Sequence, residues 1–120
     1  EITVQYDDIP VTVFSHPEVG SIGLTEEQAQ AKRIDYEVKK SPYSVNAKAV
    51  ILGEREGLTK IIVEKATQKI LGVHIIGAGA SDLAHQAFLV VMQGLTVQEW
   101  LQVVWSHPVI SEVFKEALES

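Results

Sequence analysis

Hydrophobic and polar positions along the chain follow two rhythms. Between Gly57 and Ala66 and between Lys69 and Ile76, the residues Ile61, Val63, Leu71, Val73 and Ile75 alternate with period two. This predicts two strands, each with one buried face. Ala66-Thr67-Gln68 between them is short enough for a hairpin. From Ala80 to Gln93 the spacing becomes helical. Leu83, Ala84, Ala87, Phe88 and Val91 share one face, and Gly94 stands where a left-handed cap ends a helix. Two capping boxes mark further helix starts, Thr25 with Gln28 and Thr96 with Glu99. The first opens a helix to about Arg33. Val11 to Phe14 and Tyr36 to Tyr43 read as strands, and Ser44 to Ile51 as a short helical turn. Ser15 to Gly23, with His16-Pro17 and two glycines, reads as a turn-rich loop. A last helix begins near Ser111. Glu1 to Pro10 reads as a linker from a preceding domain, leaving residues 11–120 as one folded unit. Strands followed by helices with hairpin connections predict an α+β fold, an antiparallel β-sheet covered by helices on one side.

Composition narrows the function classes. A chain of 120 residues with 46% hydrophobic and 22% charged residues has the make-up of one globular domain with a sizeable core. Lys plus Arg number 10 against 16 Asp plus Glu, a net charge of -6. That balance disfavours nucleic acid or an anionic membrane as partner, since both demand a basic face. No apolar run is as long as a membrane span, and no basic-then-apolar leader stands at the start. Cysteine is absent, which removes structural disulfides and thiolate metal sites. The four histidines lack the helical pairing or carboxylate grouping of a metal centre, so no metal site is expected.

The chemistry concentrates near the C-terminus, in Trp105-Ser106-His107-Pro108-Val109-Ile110-Ser111-Glu112. A positioned imidazole works as an acid or base when a second group orients it. Residues five apart in one continuous helix point about 140° away from each other. His107 and Glu112 therefore meet only if His107 lies in a turn outside the helix. Pro108 supplies that turn, because it lacks a donor, fixes its own φ and biases His107 away from helical geometry. A bland alternative stands beside this: a proline in a first turn followed by Ser and Glu is ordinary helix-start chemistry. His16-Pro17 repeats the dipeptide without a matching carboxylate and reads as a plain turn. His74 alternates with Val73 and Ile75, so it belongs to the opposite face of its strand, half-buried. His85 lies off the apolar stripe of its helix, facing solvent or a subunit contact. Gly77-Ala78-Gly79 precedes a helix but lacks the third glycine and the cation of an anion site, and reads as a structural turn. Trp100 and Trp105 fit a core, or a subunit interface.

Three ordered blocks carry a family likeness: Val13 to Glu26 (VFSHPEVGSIGLTE), Lys69 to Gly77 (KILGVHIIG), and His107 to Ala117 (HPVISEVFKEA). Together they resemble the C-terminal dimerisation, or interface, domain of the flavin-dependent disulfide oxidoreductases, most closely those of the dihydrolipoamide dehydrogenase type. The glutathione and mercuric reductases are the rivals within that family. Val109 stands where these enzymes often carry Thr or Ser, and Ile110 where Leu is frequent. The chain has no G-x-G-x-x-G fingerprint and no cysteine pair. The resemblance thus implies a part of a larger enzyme, with the FAD and NAD domains elsewhere in the same polypeptide and neither cofactor held by this chain alone. It implies a homodimer formed through this domain. His107 and Glu112 would form an acid–base dyad reaching the partner subunit's site, and the backbone of His107 and Pro108 would touch that subunit's flavin. The implied reaction is oxidation of a lipoyl-bearing protein through FAD to NAD, in the cytoplasm or an organelle matrix. From another class comes a non-catalytic self-association module with an idle histidine.

Overall fold

The computed structural model describes residues 1–120. Five antiparallel strands form one sheet: β1 (Val11–Val13), β2 (Val19–Gly23), β3 (Tyr36–Pro42), β4 (Leu58–Glu64) and β5 (Ile70–Ile76), in spatial order β1-β2-β5-β4-β3. Five helices accompany it: α1 (Glu26–Ala31), α2 (Ala47–Leu52), α3 (Ala80–Gln93), α4 (Val97–Leu101) and α5 (Glu112–Leu118). No helix is long and apolar enough to cross a membrane.

The alternation read from β4 and β5 sorts the sheet into two faces. Ile22, Ile61, Val63, Val73 and Ile75 point to one side and join Leu83, Ala87, Trp100, Val113, Phe114 and Leu118 in a single core. That side carries α3, α4 and α5, as expected of a sheet covered by helices. The other side carries a polar row, with Ser21 paired to His74 and His74 to Lys60 across adjacent strands. Leu24 and the start of α1 close part of this side. Lys60 meets Glu26 at 3.1 Å, and the His74 ring meets the Leu24 carbonyl at 2.8 Å.

Both capping boxes form. The Thr25 hydroxyl accepts the Gln28 N–H and the Gln28 side chain accepts the Thr25 N–H; Thr96 and Glu99 do the same. Gly94 closes α3 in the left-handed conformation.

The segment Ser15 to Gly23 departs from expectation. Its second half is β2, hydrogen-bonded between β1 and β5, with Ile22 fully buried. Gly20 signals a close approach, not a turn. A Cβ there would strike the Ala80 carbonyl and lie 2.7 Å from the Ala84 Cβ, so only glycine lets α3 settle onto β2.

Candidate functional site

After α4 the chain runs through residues 102–111 without regular structure, then enters α5 at Glu112. Pro108 breaks the helical path, and the His107-Pro108 peptide is cis. His107 lies outside the helix, and its ring meets the first turn of α5. His107 Nδ1 lies 2.9 Å from Glu112 Oε1 and 3.2 Å from Oε2. A carboxylate only accepts, so Nδ1 carries a proton, and in the neutral ring Nε2 holds the lone pair. Nε2 has no partner within the chain, and the side chain is 67% exposed. Glu112, by contrast, is 12% exposed and anchored: its Oε1 also accepts the Val109 N–H at 3.1 Å. Val109 contributes that bond through its backbone, so the absence of a hydroxyl at this position leaves the carboxylate held. A fixed carboxylate, an oriented imidazole and a ring nitrogen without a partner in the chain form an arrangement suited to acid–base chemistry.

The segment around the turn is apolar. Trp100 is buried and packs on Phe114 with ring centroids 4.8 Å apart. Trp105 is half-buried beside Trp100 at 6.4 Å, its Nε1–H enclosed without an acceptor. Val103, Val104, Trp105 and Val109 help line an adjacent cleft of about 280 Å³. Val104 is 95% exposed. Of the two tryptophan readings, Trp100 is a core residue, while Trp105 sits at the margin between core and surface.

The remaining histidines lie apart from this site. His16 is 85% exposed, with Glu54 at 3.9 Å. His85 stacks on Phe88 at the surface. His74 is half-buried on the polar face. Its Nε2–H donates to the Leu24 carbonyl, which leaves Nδ1 to accept the Ser21 hydroxyl at 2.6 Å. Burial pushes the His74 pKa down, and Lys60 adds to that; the Leu24 carbonyl and Glu26 oppose it.

Two features escaped the sequence. The Gly77-Ala78-Gly79 turn does present a helix N-terminus to an anion, but the anion belongs to the chain. Glu18 accepts the Ser81 hydroxyl at 2.7 Å and the Ser81 N–H at 3.1 Å, which holds its carboxyl below the usual range. The α3 N-terminus is thereby filled, and the chain presents no glycine-rich cradle for a dinucleotide pyrophosphate. The second is Asn46, 1% exposed at the start of α2, whose amide reaches Val109, Ile110 and Glu116 on the far side of the site. Its side-chain type suits a helix cap, but nothing local in the sequence signals the long-range contact.

Residues 9–118 match the family described as "Pyridine nucleotide-disulphide oxidoreductase, dimerisation domain". The chain is 42% identical to dihydrolipoyl dehydrogenase 1, mitochondrial, of Arabidopsis thaliana over 114 residues, covering 95% of this chain and 22% of that protein. It is 35% identical to the mitochondrial dihydrolipoyl dehydrogenase of Sus scrofa, over 97% of this chain and 23% of the relative. Leghemoglobin reductase of Glycine max is 42% identical, over 95% of this chain and 22% of the relative. The chain thus spans about a quarter or less of the length of these relatives. Among solved structures, the HOCl-induced flavoprotein disulfide reductase RclA from Escherichia coli superposes with a TM-score of 0.88 at 26% identity, over 93% of this chain and 26% of that one. LpdA from Mycobacterium tuberculosis superposes with a TM-score of 0.89 at 25% identity, over 97% of this chain and 25% of that one. The sheet order, the capped helices and these matches agree: the chain belongs to the dimerisation domains of the pyridine nucleotide-disulphide oxidoreductases and is close to those of the dihydrolipoyl dehydrogenases.

Proposed function

We propose that this domain works within a homodimeric, FAD- and NAD-dependent disulfide oxidoreductase of the dihydrolipoamide dehydrogenase type, and that it lends the His107–Glu112 dyad to the partner subunit's site. Residues 1–10 serve as the linker and 11–120 as the interface domain. The carrying observation is the 2.9 Å bond that fixes Nδ1 on a nearly buried carboxylate and leaves Nε2 free on an exposed turn.

His107 Nε2 takes a proton from the incoming dithiol. That raises the thiolate fraction, and the thiolate is the species that attacks a disulfide. Glu112 keeps the ring in the productive tautomer and stabilises the imidazolium formed, the orienter's role in such a pair. When bound, FAD supplies the electron path from the cysteine pair to NAD. The chain's own contribution to FAD would be a contact from the exposed His107 and Pro108, while the α3 N-terminus is already filled by Glu18. A lipoyl-bearing protein is the substrate favoured by the similarity to dihydrolipoyl dehydrogenases.

Turnover of His107→Gln and Glu112→Gln in the full-length flavoprotein tests the dyad. A general base is worth about 10²–10⁴-fold in rate, so His107→Gln loses that much with little change in thermal stability. Glu112→Gln loses less, because the amide keeps the shape and one hydrogen bond. Near-normal rates in both variants would leave the domain as a self-association module only.

A further inference from the structure

The turn that carries His107 is gripped from two sides, and only one grip belongs to the dyad. Inside, Glu112 takes the Val109 N–H. Behind, Asn46 takes the other end of the same stretch: its Nδ2 lies 3.3 Å from the Val109 carbonyl and 3.5 Å from the Ile110 carbonyl. The same nitrogen lies 3.2 and 3.3 Å from the two carboxylate oxygens of Glu116. An amide nitrogen has two hydrogens, so these acceptors share them. Asn46 Oδ1 is separately committed, accepting the Ala49 N–H at 2.9 Å as the cap of α2. The residue is 1% exposed, and both the oxygen and the nitrogen of its amide are engaged.

We propose that Asn46 is a positioning residue for the dyad: its buried amide ties α2 to the Val109–Ile110 peptide and to Glu116, and so holds His107 over Glu112. This rests on the dyad reading above. Glu116 lies four residues after Glu112, on the same face of α5, so two carboxylates flank the turn. Burial raises the Glu116 pKa and Glu112 adds to that, while the Asn46 amide lowers it. Without that amide, the Glu116 carboxylate loses its donor, and the Val109 and Ile110 carbonyls keep only the N–H groups of Glu112 and Val113, so nothing ties this stretch to α2. Val109 is then held on its carbonyl side by α5 alone; its N–H shifts from Glu112, and His107 loses its register.

The cap and the positioning role separate by substitution. Asn46→Ser keeps an acceptor that caps α2 but is too short to reach residues 109–116. The first measurement is the ¹⁵N spectrum of the His107 ring in the 120-residue chain at neutral pH. The wild type gives a single tautomer protonated at Nδ1, and Asn46→Ser gives a tautomer mixture while its far-ultraviolet circular dichroism is retained. The second is steady-state turnover in the full-length enzyme, where a displaced base costs on the order of 10²-fold in kcat. Should the serine variant unfold, Asn46→Asp, which also caps, is read in the same way. A variant that keeps the Nδ1 tautomer and full turnover, with only a lower melting temperature, overturns the proposal. Normal turnover in His107→Gln instead overturns the dyad reading, and the ring spectrum alone then decides the role of Asn46.

Discussion

Tyr43 is the largest side chain with no exposed surface at all, and it links the sheet to the start of α3. Its ring presses against Gly77, where a Cβ would collide with it, and its hydroxyl donates to the Ala78 carbonyl at 2.9 Å. Burial, with Glu18 adding, pushes the phenol pKa up, so it remains a donor at any ordinary pH. Tyr43→Phe deletes the donor and strands a part-buried carbonyl, at a cost of about 1–2 kcal/mol. For a chain of 120 residues the unfolding entropy is about 0.25 kcal/mol/K, so the melting temperature falls by roughly 4–8 °C. Tyr43→Ala also empties the ring's volume, where glycine neighbours offer no side chain to refill it. That costs about 3–5 kcal/mol, or roughly 12–20 °C. Urea and thermal unfolding of wild type and both variants measure this, at one fixed protein concentration because association shifts the midpoint. A Phe variant as stable as wild type would show that the hydrogen bond contributes nothing net. An Ala variant losing under about 1 kcal/mol would place Tyr43 outside the core and refute the packing described.

Two further outcomes follow from the sheet. His74 has a folded pKa below its ordinary 6.5, so the folded state binds fewer protons than the unfolded state between those values. Its contribution is complete above pH 6.5 and declines as pH falls below it, by at most about 1.4 kcal/mol per pH unit. Urea titrations from pH 5 to pH 8 on wild type and His74→Gln read the difference; identical slopes would contradict the burial of the neutral ring. Gly20→Ala forces a methyl group into the Ala80 carbonyl and Ala84, and is expected to destabilise by about 1–3 kcal/mol or more. An unchanged melting temperature would refute the close docking of α3 on β2.

Features set by neighbours in sequence were legible, and those set by distant chain were not. The two Thr capping boxes, the extent of α3 and the hairpin between β4 and β5 depend on residues a few positions apart, and each forms as expected. The strand β2 was masked because Gly20 is small for a helix 60 residues away, and a glycine met locally signals a turn. The site divides along the same line. Pro108 reveals the return of His107 to Glu112, because both lie within one turn of chain. Asn46 behind them, and Glu18 at the N-terminus of α3, meet their partners across more than 60 residues, with no periodicity to announce it.

The claim that the dyad works across subunits is tested most directly by mixing two crippled subunits of the full-length enzyme. One carries His107→Gln with its redox cysteines intact; the other keeps His107 but has a redox cysteine replaced. Each parent dimer turns over slowly or not at all. A mixed dimer contains one site with intact cysteines from the first subunit and His107 from the second, so turnover should rise well above that of either parent and scale with the mixed population. Mixed dimers, formed and purified, that turn over no faster than their parents would contradict the assignment of His107 and Glu112 to the partner's site.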